Sequence, residues 1–367
     1  MRVLFVLATS AGGVGRHVHG LVRSLVGTGV EVVVACPAEA AASFGFADLA
    51  RVVPLEVADR PQPLHDARAV RELAHLAAGA DVVHAHGLRA GALVCLALAR
   101  RRVPVVTTLH NAAPSGRASA AVYAALERVV ARRSDLVLGV SPDLVERMRA
   151  LGARDTGAAV VPAPPHRTPQ RDRFALHAEL GIDARTALGV VVARLAPQKG
   201  LDLLLDAHHD LRDLDLLTVV AGDGPLREHL EERIAGEDLP VRLLGRREDV
   251  PDLLAAADVV VSSAVWEGQP VALQEALHAG AAIVATEVGG TAAVVGEAAV
   301  LVRPGDPVAL ARAVRDVVTH GGVRDDLRSK AVEQSDALPD EADALAAALA
   351  AYESVRAGAS AGRPGPR

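Results

Sequence analysis

The sequence has few aromatic residues and few lysines. Phe, Trp and Tyr make up 2% of the 367 residues, so the cores must be built mainly from Ala, Val and Leu. No row of aromatic side chains is available to stack on nucleic-acid bases, and the net charge of -6 agrees with that exclusion. Only two of the 39 basic residues are lysines, Lys199 and Lys330. Each lysine is therefore a candidate for a specific role.

Cysteines are equally scarce, and long apolar segments are missing. Cys36 and Cys95 provide neither a disulfide framework nor a metal-ligand spacing, which predicts a reducing compartment. No apolar run approaches the roughly 18 residues that a membrane-spanning helix needs. The apolar run at residues 2–7 ends at a glycine loop, and we interpret it as a buried strand instead of a signal peptide. We expect a cytoplasmic protein that is at most peripheral to the inner face of the membrane.

Short β-branched runs alternate with helical patterns along most of the chain. This alternation is typical of an α/β protein with parallel sheets covered by helices on both faces. A length of 367 residues favours two domains, at about 150 residues each. The predicted strands cover residues 2–7, 31–35, 51–54, 81–84, 105–108 and 136–140, and then 188–193, 217–221, 241–244, 259–262, 282–286 and 300–302.

Proline divides the chain. Residues 161–169 contain four prolines, which predicts a linker between two Rossmann-like domains at 1–165 and 166–335. A last helix is expected within 336–356 and a disordered tail at 357–367. Residues 1–165 carry 18 basic and 13 acidic side chains, net +5, whereas the remainder carries 21 and 32, net -11. The two halves are therefore expected to face different partners.

A glycine loop follows the first strand. Gly12 and Gly13 stand at a strand-to-helix junction, where backbone N–H groups and the helix N-terminus favour an anion. The alternative is a tight turn that needs positive φ. The dinucleotide pattern G-x-G-x-x-G is absent, which weakens the hypothesis of a nicotinamide oxidoreductase.

Two carboxylates flank a second strand-to-helix junction. A buried strand ends at Ser262, a polar loop carries Glu267, and Pro270 opens a helix on which Glu275 lies one turn further on. At the carboxyl edge of a parallel sheet, both carboxylates can face one crevice and accept hydrogen bonds from sugar hydroxyls. The alternative is a solvated Glu267 and a helix-surface Glu275.

Two cations share the loop after another strand. Arg194 can hold a phosphate through two parallel hydrogen bonds, and Lys199 can act as a point charge. Together they can neutralise a departing diphosphate without a metal. The alternative is two solvated cations, against which the scarcity of lysine argues.

Three histidine and arginine clusters are less specific. His84 and His86 alternate at a strand end, but no third ligand lies at a helpful spacing, so we expect no metal site. His208 is expected on a solvated helix face. The arginines at residues 100–102 follow an apolar stretch, and they are either a solvated helix end or a contact to anionic lipid or an anionic acceptor.

Seven segments together resemble one family. The loop at Gly12 and Gly13 and the run Thr108-Leu109-His110-Asn111 lie in the first half. The others are Arg194-x4-Lys199-Gly200, Ala221-Gly222-Asp223-Gly224-Pro225, Glu267-Gly268-x-Pro270-x4-Glu275-Ala276, Val288-Gly289-Gly290 and Val302-x-Pro304-Gly305-Asp306. In order and spacing they closely resemble retaining glycosyltransferases of the GT-B fold, family 4. The resemblance implies two Rossmann-like doubly wound domains that face each other across a cleft.

The resemblance also implies roles for the donor-side residues. Glu275 would bind the ribose hydroxyls of a nucleotide, and Glu267 would face the donor sugar. Arg194 and Lys199 would hold the diphosphate. The backbone from Gly268 through Gln269 and Pro270 to Val271 would complete the phosphate and sugar contacts. No metal and no other cofactor is implied.

On the first half, the resemblance implies that Gly12 and Gly13 reach the same phosphates and that His110 lies beside the transferred sugar. The last helix would pack back on the first domain. The sequence departs from the family at Gln269, where a large apolar residue is frequent. The donor sugar therefore cannot be taken from any relative.

The resulting hypothesis is transfer of a hexose-type sugar from a nucleotide-diphosphate donor to an unidentified acceptor, with retention at the anomeric carbon. The acceptor is a glycan, a lipid-linked molecule or a small molecule. The alternatives are a non-catalytic nucleotide-sugar-binding protein and a GT-B sugar-nucleotide epimerase.

Overall fold

The computed structural model describes residues 1–8, 13–58, 62–112 and 120–361. The chain divides into two compact units. The first unit comprises Met1–Pro162 together with Pro339–Arg367, and the second comprises Ala163–Leu338. The division after Pro162 falls in the proline-rich segment that the sequence predicts as a linker.

The first unit is built on a parallel sheet. Within its described residues the strands are β1 (Arg2–Leu7), β2 (Glu31–Cys36), β3 (Arg51–Pro54), β4 (Val82–His86), β5 (Val105–Leu109), β6 (Leu136–Gly139) and β7 (Thr156–Ala158). They lie in the order β3-β2-β1-β4-β5-β6-β7. The connecting helices are α1 (Gly13–Gly27), α2 (Ala38–Phe44), α3 (Pro63–Leu76), α4 (Leu88–Ala97), α5 (Ala120–Arg133) and α6 (Pro142–Ala150).

Helices cover both faces of this sheet because its strands are apolar on both faces. Phe5 and its alternate neighbours pack in a core with Val18 of α1, whereas Leu4 and Val6 pack in a second core with Leu73 of α3. Alternate side chains of a strand point to opposite faces, so a continuous apolar run needs a layer on each side.

The second unit repeats this architecture. Its described strands are β8 (Ala187–Val192), β9 (Leu216–Ala221), β10 (Val241–Gly245), β11 (Val259–Ser262), β12 (Ile283–Thr286) and β13 (Ala299–Val302), in the order β10-β9-β8-β11-β12-β13. The helices are α7 (Arg173–Leu180), α8 (Leu201–His208), α9 (Arg227–Gly236), α10 (Val250–Ala256), α11 (Val271–His278), α12 (Thr291–Val295), α13 (Pro307–Thr319) and α14 (Gly321–Asp336). Two apolar cores lie on the two faces of the sheet. Both units are therefore doubly wound Rossmann-like domains.

The last helix, α15 (Glu341–Ala361), belongs to the first unit. Tyr352 and Val355 are buried in the same core as Phe5, and Arg23 of α1 forms an ion pair with Glu341 at 2.5 Å. The helix continues through residues 357–361, which differs from the expected disordered tail; alanine at 357, 359 and 361 favours helix and offsets the cost of Gly358. Residues 362–367 lie outside the described part of the chain.

Two further features differ from the sequence-based expectations. The short strand β7 was not predicted, because Thr-Gly-Ala carries no apolar pattern. His208 is buried instead of solvated, and its ring contacts the Leu204 carbonyl at 2.8 Å and the Thr218 hydroxyl at 2.9 Å. No helix in the described ranges is long and apolar enough to cross a membrane.

Candidate functional site

The candidate donor site lies at the carboxyl edge of the sheet in the second unit. Strands β8, β9, β11 and β12 run parallel, so the loops that follow them emerge at one edge. The loops are residues 193–200, 222–225, 263–270 and 287–290, and they contain the motif residues Arg194, Lys199 and Glu267. At this edge of a doubly wound sheet, ligands bind between the loops.

Two glycines allow these loops to touch. A Cβ on Gly200, whose φ is +58°, would overlap the carbonyl oxygen of Ser263. A Cβ on Gly289, whose φ is +51°, would overlap the carbonyl oxygen of Glu267. Hydrogen bonds join the same loops, since the amide of Gly290 donates to the Glu267 carbonyl at 2.9 Å. Glycine is required at both positions by conformation and by space.

The contact between Lys199 and Glu267 is the main electrostatic feature of the site. The Lys199 ammonium forms an ion pair with the Glu267 carboxylate, across loops 68 residues apart. Glu267 is 8% exposed, and the Ser263 hydroxyl donates to the Lys199 carbonyl at 3.1 Å. Pairing compensates the desolvation of both charges. The Lys199 ammonium and the Glu267 carboxylate are thus held together at the carboxyl edge of the sheet.

Other predicted donor-site residues surround this pair. Arg194 is exposed, two residues after β8 ends. Within the described chain, the amides of Gly268 and Gln269 have no hydrogen-bond acceptor, whereas the amide of Val271 donates to the Gln269 carbonyl at 2.9 Å. Pro270 is buried at the N-terminus of α11. The site therefore presents a guanidinium and two unpaired N–H groups, all suited to an anion.

Glu275 lies in a different recess from Glu267. The Glu267 recess is also lined by Lys199 and Pro270. Glu275, half-buried on α11, lines a recess together with His166 and His278. The rings of these histidines are 5.7 Å apart, and burial, followed by the neighbouring His166, lowers the pKa of His278. The two carboxylates therefore do not share one crevice, contrary to the sequence-based expectation.

The first unit carries the remaining predicted residues. Gly13 begins α1, and among the described residues a Cβ placed on it would meet no atom within 4 Å beyond its chain neighbours and its own helix backbone. Gly12 lies outside the described residues. His110 directly follows β5 and is buried. Gly13 and His110 thus lie at the carboxyl ends of β1 and β5.

A cluster of four histidines surrounds His110. His17 of α1 and His84 and His86 of β4 are the other members. The His86 Nδ1 and His110 Nε2 atoms are 3.0 Å apart, and their rings stack at 5.3 Å. His84 bonds through Nδ1 to the Tyr352 hydroxyl at 2.7 Å and through Nε2 to Thr108 at 2.8 Å. The spacing of His84 and His86 indicates a shared strand face, whereas no sequence pattern links His17 or Tyr352 to them.

These histidines are held neutral. Burial lowers the pKa of His17 to about 4, and burial together with the neighbouring His17 lowers the pKa of His84 to about 3. Burial, reinforced by the adjacent imidazoles, also holds the pKa of His86 and of His110 well below the usual 6.5. A neutral imidazole has one donor and one acceptor nitrogen, so each ring can relay a hydrogen bond.

The same cluster bears on metal binding. No group of three or more histidine, cysteine or acidic side chains suited to a metal ion occurs in the part of the chain that the structure describes. His84 has both ring nitrogens engaged by Tyr352 and Thr108.

Fold and site together define the class of protein. It has two doubly wound domains, and cations, carboxylates and loop amides lie at the carboxyl edge of the second sheet. Comparison with known sequences gives the family. The profile described as "Glycosyl transferases group 1" matches residues 187–320, and that described as "Glycosyl transferase 4-like domain" matches residues 12–164.

Individual relatives are also named as glycosyltransferases. The chain is 29% identical over 271 residues to a Bacillus subtilis protein named for teichuronic acid biosynthesis, glycosyltransferase TuaC, covering 70% of this chain and 67% of that one. It is 30% identical to the D-inositol 3-phosphate glycosyltransferase of Geodermatophilus obscurus, covering 65% of this chain and 59% of that protein. The chain thus spans less than two thirds of the latter.

Among solved structures, HepE of Anabaena in complex with UDP superposes with a TM-score of 0.82 at 21% identity, covering 96% of this chain and all of that one. This similarity shows the fold. The chain belongs to the GT-B glycosyltransferases of family 4.

Proposed function

We propose that the chain transfers a hexose-type sugar from a nucleotide-diphosphate donor to a hydroxyl of an acceptor, with retention of the anomeric configuration. The observation that supports the proposal is the ion pair between Lys199 and Glu267. Loops in close contact hold this pair at the carboxyl edge of the sheet. In this proposal, Lys199 is the cation for the diphosphate and Glu267 is the carboxylate for the sugar.

The leaving group determines what the cations do. As the bond from the anomeric carbon to the diphosphate breaks, negative charge develops on the departing phosphate. In this proposal, Lys199, Arg194 and the free amides of Gly268 and Gln269 stabilise that charge, which lowers the barrier. The acceptor oxygen bonds to the anomeric carbon, and its proton passes to the departing phosphate.

Glu267 has two successive partners in this scheme. In the structure, its carboxylate pairs with Lys199. When the diphosphate binds, the phosphate oxygens compete for the ammonium, and the Glu267 carboxylate is released to accept hydrogen bonds from sugar hydroxyls. The exchange avoids leaving either charge buried without a partner.

The recess around Glu275 suits the nucleoside. An ionised carboxylate accepts two hydrogen bonds from vicinal ribose hydroxyls. The adjoining Val250, Pro251 and Leu254 offer apolar surface for a base. Separate recesses for Glu267 and Glu275 match the two ends of a nucleotide sugar, because the diphosphate lies between ribose and sugar.

We assign the first unit to the acceptor side. Gly12 and Gly13 would let backbone approach the diphosphate, and neutral His110 would exchange a hydrogen bond with the transferred sugar. Relatives named for D-inositol 3-phosphate and 2-deoxystreptamine support a polyhydroxylated acceptor. The buried, unpaired Cys36 and Cys95 support action in the reducing cytoplasm. Contact of arginine residues 100–102 with an anionic membrane is the alternative to a soluble ligand at these arginines, and vesicle sedimentation distinguishes the two.

The test is a panel of UDP-, GDP-, ADP- and dTDP-sugars, screened by thermal shift and then by NMR of the product with polyhydroxylated acceptors. We expect one nucleotide sugar to stabilise the protein and the product to keep the donor's anomeric configuration. Inversion would contradict the mechanism. Conversion of the donor sugar without an acceptor would identify an epimerase, and binding without any turnover would identify a non-catalytic binder.

A further inference from the structure

A cationic cavity lies at the amino-terminal edge of the sheet in the first unit. Its volume is about 900 Å³, within the range of small-molecule sites. Part of its wall is apolar and comes from Leu98, Val103 and Val355. Five arginines and two aspartates supply the charge: Arg101, Arg102, Arg132, Arg133, Arg154, and Asp135 with Asp155.

The arginines come from three separate places in the chain. Arg101 and Arg102 precede β5, Arg132 and Arg133 form the last turn of α5, and Arg154 precedes β7. Only residues 100–102 stand out as a basic run in the first half of the sequence. Folding therefore gathers arginines from three separate segments into one cavity of net charge +3.

Most of this charge is not compensated within the protein. Arg154 pairs with Asp135 at 3.2 Å, and the other Asp135 oxygen accepts the Val105 amide at 2.9 Å. Asp155 accepts the Thr156 amide at 2.8 Å. In the described ranges, the other four arginines of the cavity form no ion pair. The C-terminal dipole of α5 favours cations at its last turn, but that effect does not reach the two arginines before β5.

The cavity is separate from the histidine cluster. It adjoins Val105, the first residue of β5, whereas His110 follows the last. Five strand residues at about 3.3 Å each put the two ends roughly 16 Å apart. An anion bound in the cavity therefore does not contact His110.

We propose that this cavity binds a small organic anion that carries two or more phosphate groups. Guanidinium groups bind phosphate through paired hydrogen bonds, and four unpaired ones exceed what a single phosphate needs. The apolar wall suits the organic part of the ligand. This site goes beyond the proposed glycosyl transfer and does not depend on it.

The test uses inorganic pyrophosphate, with titration calorimetry for affinity and hydrogen exchange for location. We expect protection in peptides covering residues 98–105 and 131–135. The double variant Arg102→Gln/Arg133→Gln should raise the dissociation constant about tenfold or more. Arg68→Gln/Arg71→Gln removes the same charge from exposed positions of α3 and should leave the affinity unchanged.

Lys199→Met separates this site from the donor site, and pyrophosphate protection at residues 98–105 should persist in that variant. Protection confined to residues 194–200, absence of binding, or an equal loss in both arginine pairs would overturn the proposal. Vesicles of phosphatidylglycerol form a second arm. Sedimentation with vesicles, without pyrophosphate binding, would show a membrane contact and contradict a soluble ligand.

Discussion

At the scale of the residue, charge placement at the second unit's carboxyl edge explains most of the proposed chemistry. Lys199 is one of two lysines in the chain, and its loop partner is Glu267, not solvent. The other lysine, Lys330, pairs with Asp326 one helical turn away at 2.9 Å. The two lysines therefore form a matched pair for substitution, one in the site and one outside it.

Glu275→Ala should weaken binding of the nucleotide sugar. Loss of hydrogen bonds to a charged group costs about 1.5–3 kcal/mol, so the dissociation constant should rise about tenfold or more. Titration calorimetry with the nucleotide sugar selected by thermal shift measures this dissociation constant. Glu232→Ala, on the exposed face of α9, is the control. An unchanged dissociation constant for Glu275→Ala would remove its ribose role.

Turnover should not require a metal ion, because Arg194, Lys199 and the loop amides carry the neutralisation of the diphosphate. The rate of nucleoside diphosphate release in EDTA should equal the rate in Mg²⁺. A rate that falls in EDTA and recovers with added Mg²⁺ would show that the two cations are insufficient.

At the scale of the element, α15 connects the C-terminus to the histidine cluster. The Tyr352 hydroxyl meets His84 across 268 residues of sequence, inside the core of the first unit. His84 and His86 share one face of β4, and His86 contacts His110. Through His84 and His86, the last helix thus helps to fix the orientation of the His110 ring, which we assign to the acceptor side.

Tyr352→Phe should destabilise the first unit. The change leaves Nδ1 of His84 buried without a partner, which costs about 1–3 kcal/mol. Chemical denaturation measures the loss, and a double-mutant cycle with His84→Leu isolates the pair. If the two substitutions add without a coupling energy, the hydrogen bond contributes nothing to stability.

The sequence predicts the strands well and the contacts between distant loops poorly. Buried parallel strands are continuous apolar runs, so β1 and β11 begin and end where the pattern predicts. Strand β7 is not predicted because its three small residues carry no apolar pattern. Glu267 and Lys199 are each marked by motif spacing, but their ion pair depends on loop packing around Gly200 and Gly289, which no local pattern encodes.

At the scale of the whole molecule, the structure consists of two units of the same architecture with different charge. Residues 1–165 are net basic and the remainder is net acidic. The first unit places neutral histidines at its carboxyl edge and arginines at its amino edge, whereas the second places cations among its donor-site loops. The two ends of the first sheet are thus suited to different ligands.

The buried histidines make the stability of the first unit depend on pH. Their pKa values in the folded chain lie below 6.5, so the unfolded chain binds more protons and stability falls as pH decreases. The window runs from about 6.5 down through about 4 for His17 and about 3 for His84.

Each histidine protonated only in the unfolded chain adds a slope of about 1.4 kcal/mol per pH unit. Hydrogen exchange of β4 and β5 between pH 7 and pH 5 measures the slope, and His17→Asn should reduce it. An equal slope in wild type and variant would show that His17 is not protonated preferentially in the unfolded state.

The central claim is that Lys199 stabilises a departing nucleoside diphosphate. The direct measurement is the rate of nucleoside diphosphate release from the selected donor by wild type, Lys199→Met and Lys330→Met. The account predicts a loss of about a hundredfold or more in Lys199→Met, as for other groups that stabilise developing charge, and a wild-type rate in Lys330→Met. Near-normal release by Lys199→Met would contradict it.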